Sequence, residues 1–290
     1  MGAILSGFIT YIGWGTGDIF GATAARKVGA ATTTLWAILI GMALLSLYIP
    51  FALSELQGVT MPIVILSLAL GSLFILGNIL INEALILSSV SLIGAILSLI
   101  PILTLVLSLL FFHDTVSPLQ WVIIGVVLIG VFLCTVNFDD IKKGNGIRDK
   151  GVILSIISVL MVAVYFTALR LPMGKVGWFW PVYIGYFSFP IFFIYARIRN
   201  ISFESPFKKN AFLPILFSAL SLRTAEISFN IGLNLYGSTI IAPIAGAYPS
   251  LFLILSFIFF HDPLSIQQRI GIFITIAGVV VFSLLPLFTG

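Results

Sequence analysis

Phe111-Phe112-His113-Asp114-Thr115-Val116-Ser117-Pro118-Leu119-Gln120 returns 148 positions later as Phe259-Phe260-His261-Asp262-Pro263-Leu264-Ser265-Ile266-Gln267-Gln268. The echo extends outward from this stretch. At the same shift Pro101 falls on Pro249, Leu107-Ser108 on Leu255-Ser256, and Gly130-Val131 on Gly278-Val279. Between residues 91–136 and 239–284, 16 of 46 aligned pairs are identical, and most others exchange one apolar residue for another. One fixed shift that holds through apolar runs and polar turns alike marks an internal duplication rather than shared greasiness.

Composition sets the solvent. Hydrophobic residues make up 60% of the chain and charged residues 8%, against about 25% charged in soluble domains. Mean hydropathy is +1.21. A bilayer core takes roughly 20 apolar residues per helix, and ten such stretches are present: 3–25, 30–53, 61–87, 91–112, 118–137, 151–171, 178–197, 211–235, 239–260 and 266–287. The expected fold is therefore an all-α integral membrane protein with ten transmembrane helices. The first stretch has no short apolar core followed by a cleavage site, so it is read as a retained helix and not a signal peptide. Cys134 is the one cysteine and lies inside the fifth stretch, which leaves neither a disulfide nor a cysteine metal site. The net charge of +4 resides in loops and points to membrane orientation, not to nucleic acid.

Residues 1–138 hold five stretches, 139–150 form a polar linker, and 151–290 hold five more. An odd number per copy makes equivalent helices cross in opposite directions, so the duplication predicts two inverted five-helix repeats, a common carrier architecture. Loop charges give the orientation. Arg26, Lys27, Lys142, Lys143, Arg148, Lys150, Arg197, Arg199, Lys208, Lys209 and Arg269 fall on one side, and only Arg170 and Lys175 on the other. With ten helices, this count places both termini away from the cytoplasm. Ser117-Pro118-Leu119-Gln120 and Ser265-Ile266-Gln267-Gln268 read as capping boxes that start the fifth and tenth helices.

The polar residues inside the apolar stretches are the candidate site. Arg223, Glu226, Asn230 and Asn234 are spaced by three, four and four and share one stripe of the eighth stretch. Ionisable groups at that depth are costly unless paired or wetted, and they face the bundle interior. The bland alternative is an Arg223–Glu226 pair that only glues helices together. Against it, the shift places Asn78 on Glu226 and Asn82 on Asn230, and Ser67, Gly71, Asn78 and Asn82 form a matching stripe. Asp18 shares a face with Tyr11 and Trp14, a setting suited to a cationic or zwitterionic ligand or to a transferable proton. Its bland alternatives are a partner for Arg223 or a wetted residue near Arg26. Glu83 points off the stripe toward a turn, and Tyr183, Tyr186 and Tyr248 are either cavity lining or packing.

Other patterns reduce to structure. His113-Asp114 and His261-Asp262 fall on opposite faces of an inverted repeat, so they close turns and do not form a metal site. Gly15-Thr16-Gly17-Asp18 matches the GxGD pattern of intramembrane aspartyl proteases, but the Tyr-Asp partner of that chemistry occurs nowhere. Gly13, Gly17 and Gly21 instead mark a close-packing face. Gly94, Ser98 and Pro101, matched by Ala242, Gly246 and Pro249, suit a hinge or a dense helix crossing.

These residues resemble the drug/metabolite transporter superfamily, in its EamA-type ten-helix branch. The resemblance rests on Asn82 through Ser88-Ser89 to Pro101, on Phe-Phe-His-Asp followed by Ser-x-x-Gln and Gly130-Val131, and on Trp14-Gly15. It covers nearly the whole chain. It implies two inverted repeats, a central cavity, and export or exchange of small organic molecules. Asp114 and Asp262 stand where that family often has Glu. The resemblance also implies cytoplasmic termini, the reverse of the charge count.

The expectation is a secondary carrier in the cell membrane, monomer or homodimer, that binds a polar or zwitterionic metabolite such as an amino acid. Tyr11, Trp14, Asp18, Asn78, Asn82, Arg223, Glu226 and Asn230 form the expected site, with Asp18 or Glu226 as the proton switch. No cofactor, metal or nucleotide motif is expected. The alternatives are a membrane sensor or assembly subunit with the same fold, and a membrane transferase. The transferase reading lacks the clustered acids it needs, since Asp139-Asp140 lies in the linker.

Overall fold

The computed structural model describes residues 1–88, 90–135, 150–260 and 264–289, and among these there is helix and turn but no strand. The linker residues 139–149 and the His261-Asp262 pair lie outside the described residues. The helices are α1 (Gly2–Val28), α2 (Ala30–Ser46), α3 (Ile49–Ala52), α4 (Met61–Leu87), α5 (Val90–Leu97), α6 (Leu99–Phe112) and α7 (Pro118–Thr135). They continue as α8 (Lys150–Val176), α9 (Phe179–Tyr186), α10 (Ile191–Arg199), α11 (Phe212–Tyr236), α12 (Ile241–Gly246), α13 (Tyr248–Phe260) and α14 (Ile266–Thr289).

All ten expected stretches are helical, yet fewer pass as spans by length and apolarity. Among the described residues six do so, or seven if Ala30–Ser46 and Ile49–Gly58, bent by 58°, count as one. The shortfall has local causes. In α1, Gly13, Gly15, Gly17, Gly21 and Asp18 dilute the apolar content. The 91–112 stretch breaks at Ser98, leaving Leu99–Phe112, and Pro118–Leu133 is also short.

Local chemistry fixes the helix starts. The Ser117 N–H donates to Gln120 Oε1 at 2.8 Å and the Gln120 N–H to Ser117 Oγ at 3.2 Å. Ser265 and Gln268 repeat the exchange at 2.9 and 3.2 Å. Each box satisfies backbone donors that the first helical turn leaves unpaired. At the other end of the first motif, His113 turns left-handed (φ 55°) and stops α6.

Three helix pairs dominate the packing: α1 on α11, α4 on α8, and α7 on α14. The first depends on glycine. Gly13 faces the Ser221 carbonyl and Ala225, Gly17 faces Leu222, and Gly21 faces Ser218. Close backbones permit polar stitching: Ser218 Oγ donates to Gly17 O at 2.9 Å and Ser228 Oγ to Ser6 O at 3.1 Å. On the partner pair, Gly77 lies against Val162, and Ser158 Oγ donates to Gly77 O at 2.9 Å.

The bundle has two unlike ends. At the basic end Lys27 Nζ donates to Asn210 O (3.3 Å), Arg199 pairs with Glu83 (3.6 Å), and Gly151 lies against Ser88. At the opposite end Gly2 lies against Tyr236, Gly58 against Val176, and Trp180 Nε1 donates to Ala52 O at 2.8 Å. Glu83 sits off the α4 stripe as expected, taking the Tyr195 hydroxyl at 2.6 Å.

A Cβ at position 13 would lie 2.7 Å from the Ser221 carbonyl oxygen, whereas a Cβ at Gly174 meets nothing within 4 Å. Overpacking of this kind costs about 1–3 kcal/mol, and Gly→Ala in an open helix position is neutral or stabilising. Gly13→Ala should therefore lower the thermal midpoint in detergent and Gly174→Ala should not. Equal midpoints for the two variants would contradict the close α1–α11 packing.

Candidate functional site

Polar groups from α1, α4 and α11 converge at mid-bundle. Spacings of three or four residues keep Trp14 and Asp18 on one face of α1, Phe74, Asn78, Ile81 and Asn82 on one face of α4, and Leu222, Arg223 and Glu226 on one face of α11. A cavity of about 60 Å³ lies between these faces, closed by Val162 and Phe166 of α8, Leu97 and Ile100, and Tyr248. It is large enough for several waters or part of a small metabolite. A second cavity of about 40 Å³ shares Asp18, Asn78, Ile81, Leu222 and Arg223 with the first. Thr33, Thr34, Asn82, Leu85 and Ser218 carry it toward the basic end.

The lining follows the duplication. Trp14 and Val162, Asp18 and Phe166, Phe74 and Leu222, Asn78 and Glu226, and Ile100 and Tyr248 are pairs 148 positions apart, and all ten residues face the first cavity.

Glu226 is the most heavily bound group in this region. Its Oε1 accepts from the Tyr165 hydroxyl at 2.9 Å, and its Oε2 accepts from the Tyr186 hydroxyl at 2.5 Å and from Arg223 Nη1. Glu226 is 2% exposed and Arg223 5%. The guanidinium also sits 5.5 Å from the Phe74 ring centre and 5.1 Å from that of Tyr186, so its charge meets two π faces as well as a carboxylate. Gly41 of α2 makes room for its stem: a Cβ there would come 2.6 Å from Arg223 Cδ.

Asp18 is differently placed. Tyr248 shares the cavity wall with it, and none of the ion pairs among the described residues includes it. Although packed among protein atoms, it faces both cavities. Beside it, Trp14 packs 5.0 Å from Phe229 and 5.7 Å from Tyr248, ring centre to ring centre. Asn78 Nδ2 donates to Phe74 O (2.8 Å), and Asn82 Nδ2 donates to Thr34 Oγ1 (2.8 Å) and Asn78 O (3.1 Å). With those N–H groups engaged, the amide oxygens stay available to accept.

Five of the eight expected site residues, Trp14, Asp18, Asn78, Arg223 and Glu226, line the first cavity, and Asn82 joins them at the second. Two stand apart. Tyr11 turns toward α13, its hydroxyl 3.0 Å from Ser250 Oγ. Asn230 is fully buried beneath the cavity, beside the Tyr165 hydroxyl but without hydrogen-bond geometry to any partner. Of the crossing residues, Gly246 packs against Pro101, where an added Cβ would lie 3.5 Å from the proline ring, while Gly94, Ser98, Ala242 and Pro249 are buried. Tyr165 was not foreseen. It lies 61 residues from Glu226, and no polar neighbour in its own apolar stretch signals its role.

A multi-helix bundle with a polar chamber enclosed by apolar spans defines a class, the multi-pass membrane proteins. The model of the EamA-like transporter family matches residues 1–136 and 149–284, and the chain belongs to that family. It is accordingly a membrane transporter of the drug/metabolite type. A solved crystal structure of another protein superposes with a TM-score of 0.79 at 17% identity, over 99% of both chains. That likeness concerns the fold alone. No curated protein matches the sequence.

Removing the Tyr165 hydroxyl leaves a buried carboxylate oxygen short of its donor, at about 1–3 kcal/mol. Tyr165→Phe should lower the thermal midpoint, and Tyr165→Phe/Tyr186→Phe should lower it further. An unchanged midpoint in the double variant would show that the tyrosines do not hold Glu226.

Proposed function

We propose that this protein is a secondary active carrier that works by alternating access on small polar metabolites, with amino-acid-like zwitterions as the substrate class. On this reading the chain crosses the membrane ten times. Residues 1–138 and 151–290 are inverted five-helix repeats joined by 139–150. The observation that carries the reading is the cavity wall built from five residue pairs at the duplication shift, as expected for a site on the axis between two rocking halves. The helix pairs support it. Adding 148 to the bounds of α1 gives those of α8, so that α1 on α11 becomes α8 on α4. Moreover α1 begins at the end opposite the basic one and α8 begins at the basic end.

Charge apportions the roles. Glu226 is saturated by three donors and serves as the fixed counter-ion of Arg223. Asp18, free of any cationic side chain, takes the substrate ammonium with the Asn78 oxygen, or a proton in its absence. Arg223, which faces both cavities, takes the carboxylate. The basic end faces the cytoplasm of the cell membrane by the excess of Lys and Arg there, which puts both termini outside.

In proteoliposomes, labelled amino acids should accumulate under a pH gradient, and Asp18→Asn should remove the gradient dependence. Glu226→Gln should instead act mainly through stability, lowering the thermal midpoint. Full gradient-driven uptake by Asp18→Asn would eliminate Asp18 as the coupling group. Absence of flux for every zwitterion tested would overturn the substrate class.

A further inference from the structure

At the end opposite the basic one, a single carboxylate ties the two halves together. Asp114, in the α6–α7 turn of the first half, receives Arg170 Nη1 at 2.9 Å and Nη2 at 3.2 Å. It also receives the Ser238 hydroxyl at 2.7 Å and the Ser238 N–H at 3.1 Å. Arg170 lies in the last two turns of α8, and Ser238 lies between α11 and α12, both in the second half. The guanidinium lies 4.2 Å from the Phe112 ring centre. Gly237, at φ 74°, presents no side chain where Asp114 approaches. Partial burial would raise the Asp114 carboxyl, but the hydrogen bonds from Arg170 and Ser238 and the Arg170 charge outweigh it and hold it below its ordinary range. The group therefore stays ionised at neutral pH.

The duplication does not reproduce this cluster. Asp114 corresponds to Asp262, but Arg170 corresponds to Ala22 and Ser238 to Val90. The partners that bind the carboxylate at one end have apolar counterparts at the other. The second cavity, in turn, leads from the centre toward the basic end.

We propose that Asp114, Arg170 and Ser238 form a one-sided latch that holds the carrier shut at the end opposite the basic one. This rests on the alternating-access reading above. Asp114 joins Arg170 of α8, which packs on α4, to Ser238 just after α11, which packs on α1, so rocking that parts these helix pairs at this end breaks at least two hydrogen bonds to one carboxylate. At the basic end the described residues show a looser tie: Glu83 of the first half takes the Tyr195 hydroxyl at 2.6 Å and the half-exposed Arg199 at 3.6 Å. The resting carrier is thereby biased toward access from the basic side, and substrate binding must offset the latch before the site turns over.

The test is side-specific labelling with a membrane-impermeant maleimide in reconstituted full-length protein lacking Cys134 (Cys134→Ala). Ile81→Cys reports on the chamber, since Ile81 faces both cavities, and Lys209→Cys marks the basic side. With the latch intact, Ile81→Cys should react from the basic side alone. Asp114→Asn or Arg170→Ala should raise labelling from the opposite side about tenfold, the shift expected on losing charged hydrogen bonds. The exchanged pair Asp114→Arg/Arg170→Asp should reduce that labelling again, and Ser238→Ala should give a smaller rise in a less perturbed protein. Labelling that stays one-sided in all latch variants, with the basic side still reactive, would overturn the latch and leave the carrier reading standing. Labelling from neither side in any variant would overturn both.

Discussion

A guanidinium and a carboxylate at the centre of so apolar a bundle must neutralise each other, because neither can be left bare in hydrocarbon surroundings. Meeting that requirement recruits side chains from four helices and space from a fifth. Arg223 and Glu226 come from α11, Tyr165 from α8, Tyr186 from α9 and Phe74 from α4, while α2 yields space at Gly41. Replacing such a pair with apolar residues is often neutral or stabilising in other proteins. Its placement on a cavity wall is what the proposed carrier role rests on. The surrounding aromatic packing, from Trp14 through Phe166 and Phe229 to Tyr248, then fixes the shape of the chamber.

The pair also sets the two chamber acids apart in environment. Glu226 has its acceptor positions taken by protein donors, whereas Asp18 faces open volume with one tyrosine for company. Two carboxylates of like chemistry thus stand in unlike settings, one held by protein donors and one facing open volume. Spacing along the chain cannot make that distinction, since both sit on polar stripes at helical intervals. It is made by neighbours from other helices.

Much of the architecture was legible in the chain because it rests on local rules. The capping boxes at Ser117 and Ser265 are i to i+3 chemistry, and the glycine face of α1 is a periodicity, so each could be read in one pass. The polar stripe on α4 and α11 was legible for the same reason. Tyr165, Tyr186 and the Asp114–Arg170 pair were not, because their partners are 40 to 61 residues away and only the folded bundle brings them together. The expected placement of Tyr11 and Asn230 in the site came from facing alone. Both share a stripe with cavity residues, but one lies toward Ser250 and the other below the cavity floor. Depth along a helix axis, unlike facing, is not encoded in a period of 3.6.

The matched pairs around the chamber carry one more consequence. A pocket with true two-fold symmetry would accept a ligand in two equivalent poses related by a half-turn. Here the counterpart of the acid at 18 is a phenyl ring at 166, and that of the amide at 78 is a carboxylate at 226. The framework kept its likeness while the chemistry of its two walls diverged. On the proposed carrier reading, a guest with a polar head would be held one way round, and the degeneracy inherited from duplication would be removed.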